Sequence, residues 1–175
     1  MTVQEYKNLF AKIAEKVVNH NPALTKGQFF MVDDEEFSKA AKNFLNLNRM
    51  CIDVSYPIDT LSETNGSHIQ TTVFVMNISK SIPRDNFDLQ VVTLQEAKEV
   101  GEKFARYLYF IQRKNSGFGL KAGSQTKFLH SKWELKPLLN DETDNTCGRQ
   151  MTLMFETNFN YCDAEIEADV KNTDW

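Results

Sequence analysis

Between residues 149 and 161 the side chains alternate. Met151, Leu153, Phe155, Phe159 and Tyr161 fall on one side of an extended chain, while Thr152, Glu156, Asn158 and Asn160 fall mostly on the other. Successive side chains of a strand project to opposite faces, so this segment belongs in a sheet with one dry face and one wetter face. Residues 50–56 repeat the pattern, with Ile52, Val54 and Tyr56 opposed to Asp53 and Ser55, and Pro57 ends the run. A sheet of such strands cannot stand alone. Its apolar side needs a cover, and the cover has to come from elsewhere in the chain.

Two segments have the helical period that such a cover requires. Thr2 and Glu5 form a capping-box pattern ahead of Tyr6, Leu9, Phe10, Ile13 and Val17, which predicts a helix over 3–19, stopped by His20-Asn21-Pro22. Thr93 and Glu96 give a second capping box. The helix after it is expected to bury Leu94, Ala97, Phe104, Leu108 and Ile111, with Tyr107 beside them, and to end near Lys114.

Further strands are expected at 29–32, 68–78 and 126–138, the last containing Leu129, Trp133 and Leu135. A short helix is an option after the acids at 33–36, where Phe37, Ala40, Ala41 and Phe44 recur at helical spacing. Residues 73–76 are apolar on both faces, which predicts a central, covered strand. Residues 59–67 read as a polar loop with Asn65-Gly66 as its turn, and 140–148 as an acidic turn. Gly117, Gly119 and Gly123 mark 115–125 as the expected mobile loop. The order predicts an α+β fold: an antiparallel or mixed sheet of about four to five strands, with the N-terminal helix and the long helix on one face.

A length of 175 residues fits a single domain over 1–175, with an acidic tail at about 163–175. The net charge of −4 argues against a general nucleic-acid binder. The charge is segregated, however. Lys103, Arg106, Arg113, Lys114, Lys121, Lys127 and Lys132 occur with no acid among them over 103–132. Over 141–175, Asp141, Glu142, Asp144, Glu156, Asp163, Glu165, Glu167, Asp169 and Asp174 meet only Arg149 and Lys171. No stretch is long and apolar enough to span a bilayer, and the N-terminus lacks a signal-type apolar core. Cys51, Cys147 and Cys162 are not spaced as metal pairs and fit a reduced, intracellular setting, a Cys147–Cys162 bridge being the less favoured option.

No pattern for chemistry emerges. His20 sits at a helix end, where it suits the free carbonyls, and His68 and His130 begin or occupy strands without a carboxylate at a motif spacing. There is no helical His pair, no phosphate-cradling Gly-Lys-Ser/Thr and no nucleophile elbow. Asp33, Asp34, Glu35 and Glu36 lack the alternation and glycine turn of a calcium loop, and suit a solvated helix N-terminus better. The basic stretch with Phe110, Phe118 and Phe128 could serve nucleic acid, but Phe110 and Phe128 fall within elements and are expected to face the core. No catalytic residue, metal site or cofactor is therefore assigned. The basic group Arg113, Lys114 and Lys121, and the acids Asp141, Glu142 and Asp144, are instead candidate halves of a heterologous subunit interface.

The segments FFMVDDEEF, RMCIDVSYP, TTVFVMNIS, KWELKPL, NDETDNTCGR and MTLMFETNFNYCD occur in that order, with the long helix after the third. Together with the N-terminal helix they resemble tail-completion proteins of tailed phages and prophages of the Bacteroidetes, which are similar in turn to tail-terminator and head–tail connector proteins. The chain departs from that pattern at Arg149, where an aromatic would follow the turn glycine, and at Met50, where a proline would stand.

The resemblance implies a tail-terminator-like α+β subunit in a homo-oligomeric ring at the head–tail joint or along the tail, bounding a DNA channel. Its partners would be copies of itself and the neighbouring portal, connector or tail proteins. Its place would be the virion, after synthesis in the host bacterial cytoplasm. Glu156, Asp163 and Glu165 are candidate channel-facing acids, since carboxylates lining a channel let DNA pass without specific binding. Two other readings stand beside this non-enzymatic one. The first is a small intracellular binding module or assembly chaperone with an apolar ligand site on the sheet. The second is an enzyme whose catalytic residues are dispersed along the chain.

Overall fold

A computed structural model describes residues 1–20, 24–31, 49–64, 67–83, 85–115, 118, 126–139 and 146–159. In chain order the elements are α1 (Val3–His20), β1 (Leu24–Met31), β2 (Met50–Val54), β3 (Ile58–Thr64), β4 (Ser67–Ser81), α2 (Phe87–Asn115), β5 (Thr126–Phe128), β6 (Glu134–Leu139) and β7 (Thr146–Phe159). The class is α+β, with one mixed sheet. The main path runs β1-β2-β4-β7-β5, with β3 paired to β4 and β6 paired to β7. Among the described strands only β1 and β2 are parallel, and the other pairings are antiparallel.

Among the described residues the sheet has seven strands, against the four to five expected, for two physical reasons. The expected strand over 126–138 is interrupted by a turn at its middle, where the Lys132 amide donates to the Leu129 carbonyl at 2.9 Å. It therefore makes two short strands, both on β7. The polar stretch read as a loop over 59–67 is also a strand: β3 pairs with β4 from Ile58↔Val73 to Thr64↔Ser67. The expected Asn65-Gly66 turn lies outside the described residues. The short helix expected after residue 36 lies outside the described residues.

The two capping-box patterns have different fates. At Thr2 the box is formed in both directions: the Glu5 amide donates to Thr2 Oγ1 at 3.2 Å and the Thr2 amide to Glu5 Oε2 at 2.6 Å. At Thr93 there is none. Helix α2 begins at Phe87, capped by Asn86, whose Oδ1 accepts from the Leu89 amide at 3.0 Å. Thr93 lies inside the helix, fully buried, and its Oγ1 has no hydrogen-bond partner.

Both helices pack on one face. From β4 that face receives Thr72, Phe74, Met76 and Ile78, and from β7 Met151, Leu153 and Phe155, all buried and matched in register. Tyr6, Phe10, Ile13 and Val17 meet them from α1, and Ala97, Val100, Phe104 and Leu108 from α2. Leu94 and Ile111 are only half-buried, at the edges of the α2 stripe. Gly101 lets α2 approach closely, because a Cβ there would sit 2.9 Å from Leu135 Cδ1 on β6. Where the apolar contact runs out, polar latches take over. Lys80 pairs with Glu96 at 2.8 Å, and Arg149 Nε donates to the Leu94 carbonyl at 3.3 Å.

The rings form a connected cluster. Phe155 lies within 6.0 Å, centroid to centroid, of Tyr6, Phe10, Phe74, Phe118 and Phe128. Phe104 joins α2 to it through Phe10, at 5.8 Å. Replacing Phe104 with Ala removes a fully buried ring and is expected to cost about 3–5 kcal/mol. Urea denaturation measures this, and an unchanged midpoint would take Phe104 out of the core.

Candidate interaction surface

Successive residues of an α-helix are about 100° apart, so a run of large side chains cannot all face inward. In α2 the run is Tyr107-Leu108-Tyr109-Phe110. Leu108 is buried beside Phe104 and Ala105, while Phe110, roughly 200° further round, is 59% exposed. This corrects the expectation that Phe110 faces the core; Phe128, with the same expectation, is buried.

Residues 129–133 bring further rings to Phe110. The Leu129 amide donates to the Met154 carbonyl at 2.9 Å, fixing this turn to β7. The turn carries His130 to 5.2 Å from the Tyr109 ring, and Tyr109 lies 5.5 Å from Phe110. His130 thus sits in a turn and not in the expected strand. Between helix and turn lies an open groove of about 650 Å³, lined in part by Tyr109, Phe110, His130 and Trp133, with Glu102 and Arg106 on its helix side. A second hollow of about 530 Å³ lies on the other side of the same ridge, between Lys103, Arg106, Tyr107 and Phe110. Arg106 and Phe110 border both hollows.

Cations also lie along the helix and the turn around the groove. Arg106 and Arg113 follow one line of the helix, Lys114 is exposed in the last turn and Lys132 on the adjoining turn, whereas Lys127, paired with Glu156, is exposed on the helix-free face. Glu102 is the acid at the groove. It reaches Arg106 and Lys98 only at 3.9 Å each, contacts of little energetic weight at an exposed surface. Exposed aromatics beside arginine are the composition of protein contact sites.

The sequence-assigned interface residues are only partly visible. Arg113 and Lys114 are exposed at the end of α2. Lys121, Asp141, Glu142, Asp144, Asp163 and Glu165 lie outside the described residues, as do the acids at 33–36 and most of the glycine-rich 115–125 segment. Glu156 is half-buried on the helix-free face of the sheet, opposite Thr71 on one side and Lys127 on the other. On that same face Asn77 Nδ2 donates to Asp53 Oδ2 at 2.8 Å and Gln150 Nε2 to Asn77 Oδ1 at 3.1 Å, a polar ladder across three strands. His20 ends α1, and His68 occupies β4. Among the described residues no three His, Cys, Asp or Glu side chains are grouped as metal ligands, and no helix is long and apolar enough to cross a membrane.

Residue chemistry pointed to the cations but not to the groove. In the sequence Trp133 falls in a strand pattern and Phe110 in a helix pattern, and nothing local brings the two together. The four-residue run at 107–110 was the available signal.

A second polar constellation is structural. Thr72 Oγ1 donates to Asp59 Oδ1 at 2.6 Å, and Thr126 and Thr157 share a hydroxyl contact of 2.7 Å. Tyr6 lies between these pairs, its side chain bonded to Thr72 and Thr126. Burial is the main cause that pushes the Tyr6 phenol up from 10.0 to about 12. Burial likewise raises the Cys51 thiol to about 11, with Asp53 adding to it, and raises the Cys147 thiol, whose Sγ lies 3.7 Å from the Gln90 carbonyl.

Comparison with models of known protein families finds none that matches the chain, and comparison with curated proteins gives no significant match.

The Tyr6 shift makes a pH prediction. The folded state holds the phenol proton more tightly than the unfolded chain, so this contribution is fully present below pH 10.0 and is lost as pH rises towards 12. The slope is about 1.4 kcal/mol per pH unit across that window. Tyr6→Phe should unfold with a shallower alkaline decline in urea midpoint than the wild type, since the cysteines titrate in both. Equal slopes would show that Tyr6 is not held neutral by the fold.

Proposed function

We propose that this chain is a non-enzymatic subunit of a tailed phage virion. Its copies would form a homo-oligomeric ring at the head–tail joint or along the tail, bounding the channel through which DNA passes. The observation that carries this reading is the one-sided sheet. Helices α1 and α2 seal one face, and no described element packs on the other, where Val73, Val75 and Met154 are half-buried and Ile58 is 64% exposed. A subunit with one finished face and one unfinished face suits repeated packing against neighbours. The ordered segments that resemble those of tail-completion proteins favour the same assignment.

In this reading the ring's neighbours are copies of itself and the portal, connector or tail proteins above and below it. Glu156 stands on that open face where β7 meets the edge strand β5; in this reading that edge, with Asp163 and Glu165 further along the chain, belongs on the channel side and the rest of the face on neighbours, and carboxylates at the channel repel DNA phosphates and let the duplex slide. The cations at the end of α2 belong at subunit contacts. The protein is made in the bacterial host and ends in the virion.

Charge then matters more for assembly than for folding, because an exposed pair contributes below about 1 kcal/mol to a lone subunit but recurs at every contact of a ring. Changing Arg113, Lys114 and Lys121 together to Glu should leave thermal unfolding of the isolated chain near normal and yield few joined heads and tails. Counting infectious particles and imaging unjoined heads tests this. Normal particle numbers would remove these residues from the interface, and a misfolded subunit would assign them to the fold.

A further inference from the structure

The outward side of α2 carries a pattern of its own. At 100° per residue, Asp88, Val92, Glu99, Arg106, Phe110 and Arg113 fall in a stripe about 60° wide, opposite the stripe that buries Ala97, Phe104 and Leu108. All six are exposed, and Val92 and Phe110 are the apolar members, 50% and 59% exposed. They are eighteen residues apart, about five full turns, so they stand on one line of the helix. Charge along the helix divides between its halves. The acids Asp88, Glu96, Glu99 and Glu102 precede the cations Lys103, Arg106, Arg113 and Lys114, with Lys98 the exception.

A surface with acids towards one end, cations towards the other and one apolar side chain in each half is complementary to itself turned end for end. Two copies of α2 laid antiparallel, with a two-fold axis level with residue 101, bring Val92 of each against Phe110 of the other. Asp88 then comes level with Arg113 and Lys114, and Glu99 with Lys103, while Arg106 lies within a turn of Glu99. The opposed helix dipoles favour the same arrangement. Parallel helices would instead set like charges against one another along the contact. Within the subunit Arg106 reaches Glu102 only at 3.9 Å and its side chain is 72% exposed, so it is open to a stronger partner. The hollow of about 530 Å³ between Lys103, Arg106, Tyr107 and Phe110 opens on this side of the helix and gives Val92 of the second copy a seat.

We infer that two copies of this chain pair through the outward stripe of α2, antiparallel and about a two-fold axis. The pair stands apart from the ring reading. An isologous contact closes on two copies and does not by itself make a ring. Arg113 is placed in both contacts, so a chain in the pair is held out of the ring, and the pair is the form the free chain takes before it joins a particle.

Sedimentation and crosslinking of the full-length chain test this. Wild type should sediment as two chains. Arg106→Glu with Arg113→Glu, or Asp88→Lys with Glu99→Lys, sets like charges along the contact. Each double variant should pair at least about tenfold more weakly, with wild-type thermal unfolding. An equimolar mixture of the two should pair as wild type does, because the facing charges of the unlike chains are then opposite in sign. For the register, Val92→Cys and Phe110→Cys are made separately in a Cys162→Ser chain, Cys51 and Cys147 being buried. Under mild oxidation their mixture should form a disulfide-linked pair, and each alone should not, because like positions lie about 27 Å apart. A wild type that stays a single chain overturns the pair and leaves the ring reading standing. So does a mixture of charge variants no tighter than its components, or a crosslink formed as readily by one cysteine variant alone. A wild type that forms a larger closed species overturns the pair and supports the ring. Oligonucleotide binding by a single-chain wild type, lost with Arg106→Glu and Arg113→Glu, gives the stripe to nucleic acid.

Discussion

The packing of Phe155 holds the rest of the structure in place. Its ring touches α1 through Tyr6 and Phe10, the neighbouring strand through Phe74, the edge strand through Phe128, and the segment after α2 through Phe118. Tilted and edge-on ring pairs at these separations add roughly 0.5–1.5 kcal/mol each beyond the area they bury. Five such contacts on one residue set the register of β7, because a slip by one position would turn Phe155 to the opposite face and empty the hub. Strand β7 in turn pairs with β4, β5 and β6, so that one register decides most of the sheet.

Concentrating the large rings on one face has a consequence on the other. The helix-free face carries a polar ladder, Asp53–Asn77–Gln150, alongside Val73, Val75 and Met154. Helix α2 also buries only part of its circumference, and its long aromatic run leaves Phe110 outside with Arg106. The surfaces proposed here for subunit contact are therefore what remains after the core has been closed. They combine apolar and charged groups, as expected of contacts between pre-folded subunits.

Much of this was legible in the residues. The alternation at 149–161 and 50–56 marks two strands and their dry sides, except that Tyr56, expected on the dry side, lies past the end of β2 and is 45% exposed, and the reciprocal Thr2–Glu5 box marks the start of α1. Thr93 and Glu96 show the same spacing but do not cap, because Asn86 starts the helix about two turns earlier and leaves Thr93 inside it. A local pattern cannot reveal that the helix has already begun. Strand β3 has the composition of a loop because an edge strand beyond the helices needs no apolar alternation: Thr60, Leu61 and Ser62 are all exposed there. The groove was hidden for a third reason. It joins α2 to a turn more than twenty residues later, and only the pairing of β5 and β6 to β7 brings the two together.

Cryo-electron microscopy of purified particles assembled with this chain tests the central claim most directly. The account predicts a closed ring of identical copies at the head–tail joint or along the tail. The end of α2 should lie at the subunit boundary and Glu156 should face the channel. Particles with intact tails and no density for this chain in any ring would contradict it.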